Sequence, residues 1–375
     1  MPQETQYSLG TPGLTVYSEN ISSLAETLKL FITDNILNEI CHHTKAEGGF
    51  LNPKLWKDIN SEELFAFLGL CIVSGILRTR KEPAVQLRKI NAAYARLIFR
   101  ATMARDQFFQ ILCVIRFDDK TDKLAPIRNV FESIISTLQM AYIPNEHITI
   151  DEQLVVFKGK CPFHVFIKSK PGKYGIKLWV AADAKNFYAC DMQVYTGKSG
   201  GVREKKKGLQ VLKDMVCHIN GTGKGVTTDN IFTSCKLLTF LLSKNMTVVG
   251  TLRKNKSVIP ALFLCGKQRD VPSSIFGFTN DLTLVSHVPG INKTAILLSS
   301  QHHDDTNMGE EKDHKPDIIM QYNATKSGDD VQDKLVREYT CTRSTRHWPL
   351  TLFLNLIGVA CVNASVLWML KYPTW

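Results

Sequence analysis

The spacing of apolar residues changes at residue 147 from a helical to a strand period, so the chain must combine a helical unit with a sheet. Upstream of that point, apolar side chains recur at helical spacing from Leu24 through Ile40. A later helix has a defined start, because Asn60 can cap it and Glu63 completes a capping box. Residues 24–142 are therefore predicted to be helical, with further helices at Ile90–Arg100, Arg105–Arg116 and Val130–Tyr142.

Downstream of residue 147, β-branched and aromatic runs predict a sheet. The predicted strands are Ile148–Phe157, Tyr174–Ala182, Phe187–Tyr195, Gly225–Thr228 and Met246–Leu252. The last three are separated by two predicted helices, Gly208–His218 and Phe232–Leu242. Three strands, a helix, a strand, a helix and a strand predict a mixed sheet flanked by helices.

Two segments depart from these patterns. Residues 1–22 are polar and rich in Gly, Pro, Ser and Thr, which predicts a flexible tail. Residues 254–318 contain several prolines and short strand-like runs, and we interpret them as an insertion into the sheet domain. A metal site could form in their polar stretch Gln301–Lys315, but a polar loop is the better interpretation. The helical pattern resumes near Asp329.

Acidic residues stand where two predicted strands end. Asp151 ends the first strand and Asp229 ends the fourth. These strands can be neighbours in a sheet of this order, which would bring the two acids together. Asp330 and Asp333 begin a predicted helix and share one of its faces. Carboxylates that converge in this way can hold two divalent ions about 3.5–4 Å apart, and Mg²⁺ suits such a site.

Each acid also has a simpler interpretation. Asp229 could cap the helix that follows it, and Asp329 or Asp330 could cap the last helix. Asp151 is harder to explain, because an acid among β-branched residues is costly to bury without a partner. The joint placement of the acids favours the metal site. Two further acids are weaker candidates, because one precedes a turn and the other lies in an alternating strand: Asp183 and Asp191.

Positive charge dominates the chain and is concentrated after the first strand. Lys and Arg exceed Asp and Glu by 11, so nucleic acid or an anionic membrane is a plausible partner, and a generally basic surface is the alternative. The densest run contains Lys158, Lys160, Lys168, Lys170, Lys173 and Lys177. A second cluster in the helical part fits a phosphate-binding face or a solvated helix face equally well: Arg78, Arg80, Lys81, Arg88, Lys89, Arg96, Arg100 and Arg105.

The ten cysteines form no C-x-x-C pair, so no zinc site is expected, and they are interpreted as buried thiols in a reducing compartment. The N-terminus lacks the pattern of a secretory signal. Leu352–Leu370 carries no charge and could span a membrane. Polar residues interrupt this run, which favours a buried core helix.

Six ordered segments carry a resemblance to a known family. They are Thr149–Leu154, Pro171–Lys177, Thr228–Ser234, Val249–Lys256, Tyr322–Gly328 and Arg346–Pro349. On these segments the chain resembles the piggyBac transposase family, from about Leu24 to its end.

The resemblance implies a mixed α/β fold: an RNase H-like core with a β-rich insertion, preceded and followed by a helical dimerisation and DNA-binding domain. It implies a catalytic triad of Asp151, Asp229 and Asp330, with Asp333 as a further metal ligand. The expected division is a tail at 1–22, helical domain at 23–145, core at 146–253, insertion at 254–318, core at 319–340 and a truncated second part of the helical domain at 341–375.

The resemblance also implies a Mg²⁺- or Mn²⁺-dependent, nuclear transposase that acts as a homodimer on double-stranded DNA, away from membranes. Such an enzyme hydrolyses a strand at the transposon end, forms a hairpin and inserts at TTAA. Beyond the six lysines named above, the expected DNA contacts are Arg203, Lys205, Lys206, Lys207, Arg253, Lys254, Lys256, Arg346 and Trp348.

Two departures from the family pattern support an alternative. Asp329 stands where the family has an apolar residue, and the family's cysteine-rich zinc module is not expected in this chain. The alternative is a domesticated, non-catalytic DNA-binding or interaction protein that keeps the transposase fold.

Overall fold

The computed structural model describes residues 10–51, 53–54, 56–79, 82, 96–118, 123–197, 207–264, 269–305 and 315–375. Several predicted features lie outside these residues or rest on side chains that are not described: Arg80, Lys81, Arg88, Lys89, Arg203, Lys205, Lys206 and Lys207.

The first part of the chain is mainly helical, as predicted. The prediction of a flexible tail at residues 1–22 is wrong for its described part, because Gly13–Leu14 pairs with Tyr142–Ile143 and Ile21 is buried. The elements of this first part are β1 (Gly13–Leu14), α1 (Leu24–Lys29), α2 (Asp34–Leu51), α3 (Ser61–Ile76), α4 (Leu97–Thr102), α5 (Arg105–Val114), α6 (Arg128–Ala141) and β2 (Tyr142–Ile143). The capping box of α3 is confirmed, because Asn60 Oδ1 accepts from the Glu63 amide at 2.8 Å and Glu63 Oε2 accepts from the Asn60 amide at 3.1 Å.

The helical pattern from Leu24 through Ile40 is not one helix, which corrects the prediction. The helix is interrupted between α1 and α2, and Phe31 and Ile32 in this interruption are buried in the core. The hydroxyl of Thr33 accepts from the amide of Ile36. Such hydrogen bonds between a side chain and the nearby backbone compete with the backbone bonds of a continuing helix, and they favour the start of a new helix.

The second part is a mixed nine-stranded sheet. Its strands are β3 (His147–Val156), β4 (His164–Phe166), β5 (Tyr174–Asp183), β6 (Ala189–Val194), β7 (Gly225–Thr228), β8 (Thr247–Thr251), β9 (Ser273–Phe278), β10 (Thr283–Gly290) and β11 (Lys293–Ser299). The intervening helices are α7 (Lys207–Met215), α8 (Cys235–Leu242) and α9 (Ala261–Leu264). Strand β6 begins later than predicted, because Phe187 has a φ of 62° and closes a turn on Asp183.

The strand order places β3 in the interior of the sheet, between β5 and β7. β3 pairs antiparallel with β5 and parallel with β7, β7 pairs parallel with β8, and β6 pairs antiparallel with β5. This is the RNase H-like arrangement that the resemblance implies. The strands of the 254–318 segment extend the same sheet, because β11 pairs with β8 and is followed by β10 and β9.

Three helices complete the fold: α10 (Asp317–Thr325), α11 (Gly328–Glu338) and α12 (Trp348–Lys371). The helical pattern therefore resumes before Asp329, earlier than predicted. Pro316, one of the prolines of the 254–318 segment, occupies the N-cap of α10. Proline is well tolerated at a helix start, where amide hydrogens lack intrahelical partners.

Helix α12 is long and apolar enough to cross a membrane, yet 83% of its most apolar window is buried inside the protein. Its polar residues have internal partners: Asn363 exchanges two hydrogen bonds of 2.9 Å with the backbone of Ala189, and Asn355 donates to Gln153 at 2.9 Å. The interpretation of this segment as a core helix is confirmed. It packs in one hydrophobic core with the N-terminal helices and one face of the sheet, while α7 and α8 cover the other face.

Candidate metal centre and nucleic-acid interface

The parallel pairing of β3 with β7 brings two of the predicted acids to the same edge. The paired residues run from His147 with Gly225 to Ile150 with Thr228. Asp151 and Asp229 come next on the two strands, so the predicted adjacency of these strands is confirmed. Asp151 does not end its strand, however, because β3 continues to Val156 in its pairing with β5.

The first turn of α11 is fixed next to Asp151 by contacts with β3 and β7. The Thr149 hydroxyl donates to the carbonyl of Thr325 at 2.5 Å, and the hydroxyls of Thr227 and Thr325 lie 2.7 Å apart. A Cβ atom on Gly328 would lie 2.9 Å from the Thr149 hydroxyl. Only glycine permits this close approach, which places Asp329, the next residue, at the sheet edge.

Three carboxylates converge at this edge. Asp151, Asp329 and Asp330 each offer an oxygen, and the three oxygens lie within 4.8 Å of one another. Asp330 is exposed, Asp151 is half-buried, and Asp329 is only 3% exposed. The Oδ1 atom of Asp329 has no hydrogen-bond partner among the described residues. An all-oxygen donor set with an unpartnered buried carboxylate fits a hard divalent cation such as Mg²⁺ or Mn²⁺.

The electrostatics of the cluster agree with this fit. Burial raises the pKa of Asp151, and the neighbouring carboxylates of Glu152 and Asp229 raise it further. Burial also raises the pKa of Asp329, followed by the charges of Asp151 and Asp330. Repulsion among carboxylates in a poorly solvated place makes the ionised cluster unfavourable by itself. A bound divalent cation would remove that repulsion.

Among the described residues, the predicted triad member Asp229 is not part of the group formed by Asp151, Asp329 and Asp330, and it is held by a side chain of the sheet. Its Oδ1 accepts from the Thr251 hydroxyl at 3.1 Å. Burial raises the pKa of Tyr322, and the charges of Asp229, Asp151 and others add to the increase. Tyr322 therefore lies near these acids.

The two helix-cap alternatives for these acids are wrong. The helix after Asp229 begins at Cys235, and its cap is Ser234, whose hydroxyl accepts from the amide of Leu237 at 3.3 Å. The N-cap of α11 is Ser327, and Asp329 and Asp330 lie within the first turn of that helix.

Asp333, the predicted fourth ligand, lies in a separate hydrogen-bonded network. Gln153 Nε2 donates to its Oδ1 at 2.9 Å, and Arg337 Nε lies 3.2 Å from its Oδ2. Gln153 in turn accepts from Asn355 on α12. Among the described residues, Asp333 is not part of the group formed by Asp151, Asp329 and Asp330.

The weaker candidates Asp183 and Asp191 are placed elsewhere. Asp183 is fully buried and accepts from the Tyr142 hydroxyl and from the amides of Asn145 and Lys185. It therefore organises a turn. Asp191 is also buried, and burial raises its pKa to about 7.

Of the six lysines in this run, four are exposed and two make contacts inside the protein. The exposed members are Lys158, Lys160, Lys168 and Lys173. Lys170 donates to the carbonyl of Glu152 at 2.7 Å. Lys177 lies 3.2 Å from the Glu152 carboxylate and 3.7 Å from the ring centre of Trp179. These two lysines support the backbone and side chain next to Asp151.

Two clefts lie along the end of β3 and the segment after α11. The first has a volume of about 820 Å³ and is lined by residues that include Lys158, Lys160 and Arg346. The second, of about 740 Å³, includes Asp333 and Arg337. The clefts share residues of β3 and of the segment after α11: Val156, Thr342, Arg343 and Ser344. Because they share these residues, we describe them as one groove, which is lined by several positively charged side chains.

The other predicted DNA contacts have mixed placements. Arg253 and Lys254 are exposed and Lys256 is half-buried, with Arg253 donating to Asn230 Oδ1 at 2.6 Å. Trp348 is half-buried, and its ring meets that of Phe163 edge-on at 4.9 Å. Arg203, Lys205 and Lys206 lie outside the described residues, as does the side chain of Lys207.

Sequence reasoning missed Asp329 as a member of the cluster and treated it as a departure from a family pattern. The signal was its position between a glycine and Asp330 at a helix start. The Gln153–Asn355 link was also missed. The sequence contained no local signal for it, because the two residues lie 202 positions apart.

Comparisons with known proteins agree on one family. A family model described as Transposase IS4 matches residues 25–365. The cryo-EM structure of a piggyBac transposase synaptic complex with hairpin DNA superposes with a TM-score of 0.91 at 32% identity, covering 97% of this chain and 78% of that one.

Two human proteins are also similar over 88% of this chain at 23% identity. They are piggyBac transposable element-derived protein 3 and the chimeric ERCC6-PGBD3 protein. The chain spans 59% of the length of the first and 33% of the second.

Proposed function

Because the chain belongs to the IS4 and piggyBac family of transposases, we propose that it is the catalytic core of a cut-and-paste DNA transposase. The observation that supports this proposal is the convergence of carboxylates from β3 and from the first turn of α11, namely Asp151, Asp329 and Asp330. Asp229 follows the last paired residue of β7, the parallel neighbour of β3.

In this proposal Asp151, Asp229 and Asp330 hold the divalent cations, with Asp333 nearby. A bound Mg²⁺ or Mn²⁺ would supply positive charge that activates the attacking oxygen and stabilises the leaving oxygen of a phosphodiester. The protein contributes the orientation of the acids: Thr251 fixes Asp229 by its hydrogen bond, and Thr149 anchors the residues before α11.

The exposed lysines and the groove would position the DNA. Lys158, Lys160 and Arg346 line the groove, and such side chains bind phosphates without regard to sequence. The similarity to a structure that contains hairpin DNA supports double-stranded DNA as the substrate. Strand hydrolysis would free a 3′-hydroxyl, which attacks the opposite strand to form a hairpin before insertion at TTAA. Action as a homodimer and nuclear location belong to the same proposal.

A strand-cleavage assay tests the proposal. The full chain should cleave a transposon-end duplex in the presence of Mg²⁺, and Asp229→Asn should abolish cleavage while retaining DNA binding. The exposed residue Asp270 provides a matched control, because Asp270→Asn removes a charge away from the site. Equal cleavage by wild type and Asp229→Asn would refute the role of these acids.

The similarity to a human transposable element-derived protein supports a second candidate, a DNA-binding protein that keeps the fold without cleaving strands. The two candidates differ in a single result. If the wild-type chain binds duplex DNA but neither binds divalent cations nor cleaves, the second candidate is correct.

A further inference from the structure

Among the buried acids that the structure describes, Asp329 differs in having one carboxylate oxygen without a hydrogen-bond partner. It is 3% exposed. Among the buried side-chain oxygens of the described residues that lack a hydrogen bond, its Oδ1 is the only one that belongs to a carboxylate. A buried carboxylate without such a partner is costly.

Two other buried acids among the described residues have hydrogen-bond partners. Asp333 receives a hydrogen bond from Gln153 and lies 3.2 Å from Arg337. Asp183 receives several hydrogen bonds, from Tyr142 and Asn145 among others. The carboxylate of Asp329 is therefore an exception. It lacks a partner at the position where the oxygens of Asp151 and Asp330 also lie.

The nearby positive charge of Lys170 is directed to another group. Its ammonium donates to the carbonyl of Glu152 at 2.7 Å. No ion pair of Asp329 is found among the described residues. An oxygen of Asp329 lies within 4.8 Å of oxygens from Asp151 and Asp330, so a cation between these groups would give the carboxylate the partner it lacks.

We propose that Asp329 is an additional ligand for the divalent cation that Asp151 holds, an inference that rests on the proposed function. Helix α11 then offers two consecutive carboxylates, the buried Asp329 and the exposed Asp330, where the family resemblance implies one. The added negative charge favours tight binding of a hard, oxygen-preferring cation, because affinity rises with the number of charged ligands.

Calorimetric titration of the full chain with MnCl₂ tests this inference without relying on activity. We expect Asp329→Val and the nearly isosteric Asp329→Asn to weaken Mn²⁺ binding by about tenfold or more, the scale on which loss of coordinating support acts. Glu338→Gln is the matched control, since it removes an exposed carboxylate from the same helix. It should bind as wild type does.

A thermal melt of the same proteins without metal provides a second readout. Asp329→Val should melt at a higher temperature than wild type, because it removes a buried and unpartnered carboxylate. Its melting temperature should then rise less on addition of MnCl₂.

The outcomes separate the inference from the proposed function. If wild type binds Mn²⁺ and both Asp329 variants bind it equally well, the inference is wrong and the proposed function stands. If wild type binds no Mn²⁺, the proposed function fails, and the inference fails with it. Circular dichroism of each variant shows whether weaker binding reflects loss of fold, and the Asn variant guards against that outcome because it preserves side-chain volume.

Discussion

The backbone of Gly328 packs directly against the hydroxyl of Thr149, at a distance that leaves no room for a side chain. This contact joins the start of α11 to strand β3, two residues before Asp151. The position of Asp329 and Asp330 on α11 therefore depends on Gly328, a residue without a side chain. The same glycine also approaches the backbone of Ala184, whose Cα would lie 3.0 Å from an added Cβ.

The first prediction concerns this contact. Gly328→Ala should lower the free energy of unfolding by roughly 1–3 kcal/mol, because the helix start must shift to accept the methyl group. It should also weaken Mn²⁺ binding, because Asp329 and Asp330 move with it. Urea denaturation and calorimetry measure the two effects. Gly69→Ala in α3 is the control: its added Cβ meets nothing within 4 Å, so it should be neutral or stabilise by up to about 1 kcal/mol.

The second prediction concerns Asn355 on α12. Asn355→Leu makes the helix more apolar, yet it should destabilise the fold by roughly 1–3 kcal/mol, because Gln153 Oε1 loses its buried donor. Chemical denaturation measures this change. Ser365→Ala, on the exposed side of the same helix, should stay within about 0.5 kcal/mol of wild type. An Asn355→Leu protein as stable as the Ser365 variant would show that the link contributes nothing.

The third prediction is a pH dependence centred on Asp191. Burial raises its folded-state pKa to about 7, above the value of about 3.9 for an unfolded aspartate. The protonated carboxyl therefore favours the folded state, and this stabilisation is complete below about pH 4 and is lost as the pH rises towards 7. The nearby His218 stays neutral in most of this window, because burial lowers its pKa to about 4.

Asp191→Asn should consequently gain stability relative to wild type as the pH increases from 4 to 8, by roughly 2–4 kcal/mol. Denaturation of both proteins across this range, without metal, measures the difference. The exposed Asp281→Asn should show no such trend. A difference between wild type and Asp191→Asn that does not vary with pH would contradict the assignment.

The fourth prediction concerns the groove. Lys158→Ala and Lys160→Ala should each weaken binding to duplex DNA, and each should reduce the slope of log K against log salt by about 1 if the lysine neutralises one phosphate. Fluorescence anisotropy at several salt concentrations measures the slope. Lys293→Ala removes an exposed charge from the start of β11 and should leave the slope unchanged. If all three variants lose the same affinity, the groove has no special role.

The sequence predicted the order of the core elements because each has a strong local pattern. The strand at β7 and the capping box of Asn60 and Glu63 occur as expected. The apolar run of α12 was also interpreted correctly, since its asparagines proved to be internally paired. Local patterns failed where a side chain redirects the backbone, as Thr33 does between α1 and α2.

The candidate site could be predicted only in part. Asp151 and Asp229 follow from the strand order, because parallel neighbours end at one edge. The membership of Asp329 could not be derived in this way. It depends on how closely the start of α11 approaches β3, and the contact of Gly328 with Thr149 determines this distance. The engagement of Asp333 by Gln153 likewise depends on tertiary packing between distant segments.

Anomalous diffraction from crystals of the full chain grown with MnCl₂ tests the central claim most directly, because it locates the cation itself. The account predicts a manganese peak in contact with carboxylate oxygens of Asp151 and of the first turn of α11, Asp329 among them. A map without a peak at this edge of the sheet, or with a peak that Asp151 does not contact, would contradict it.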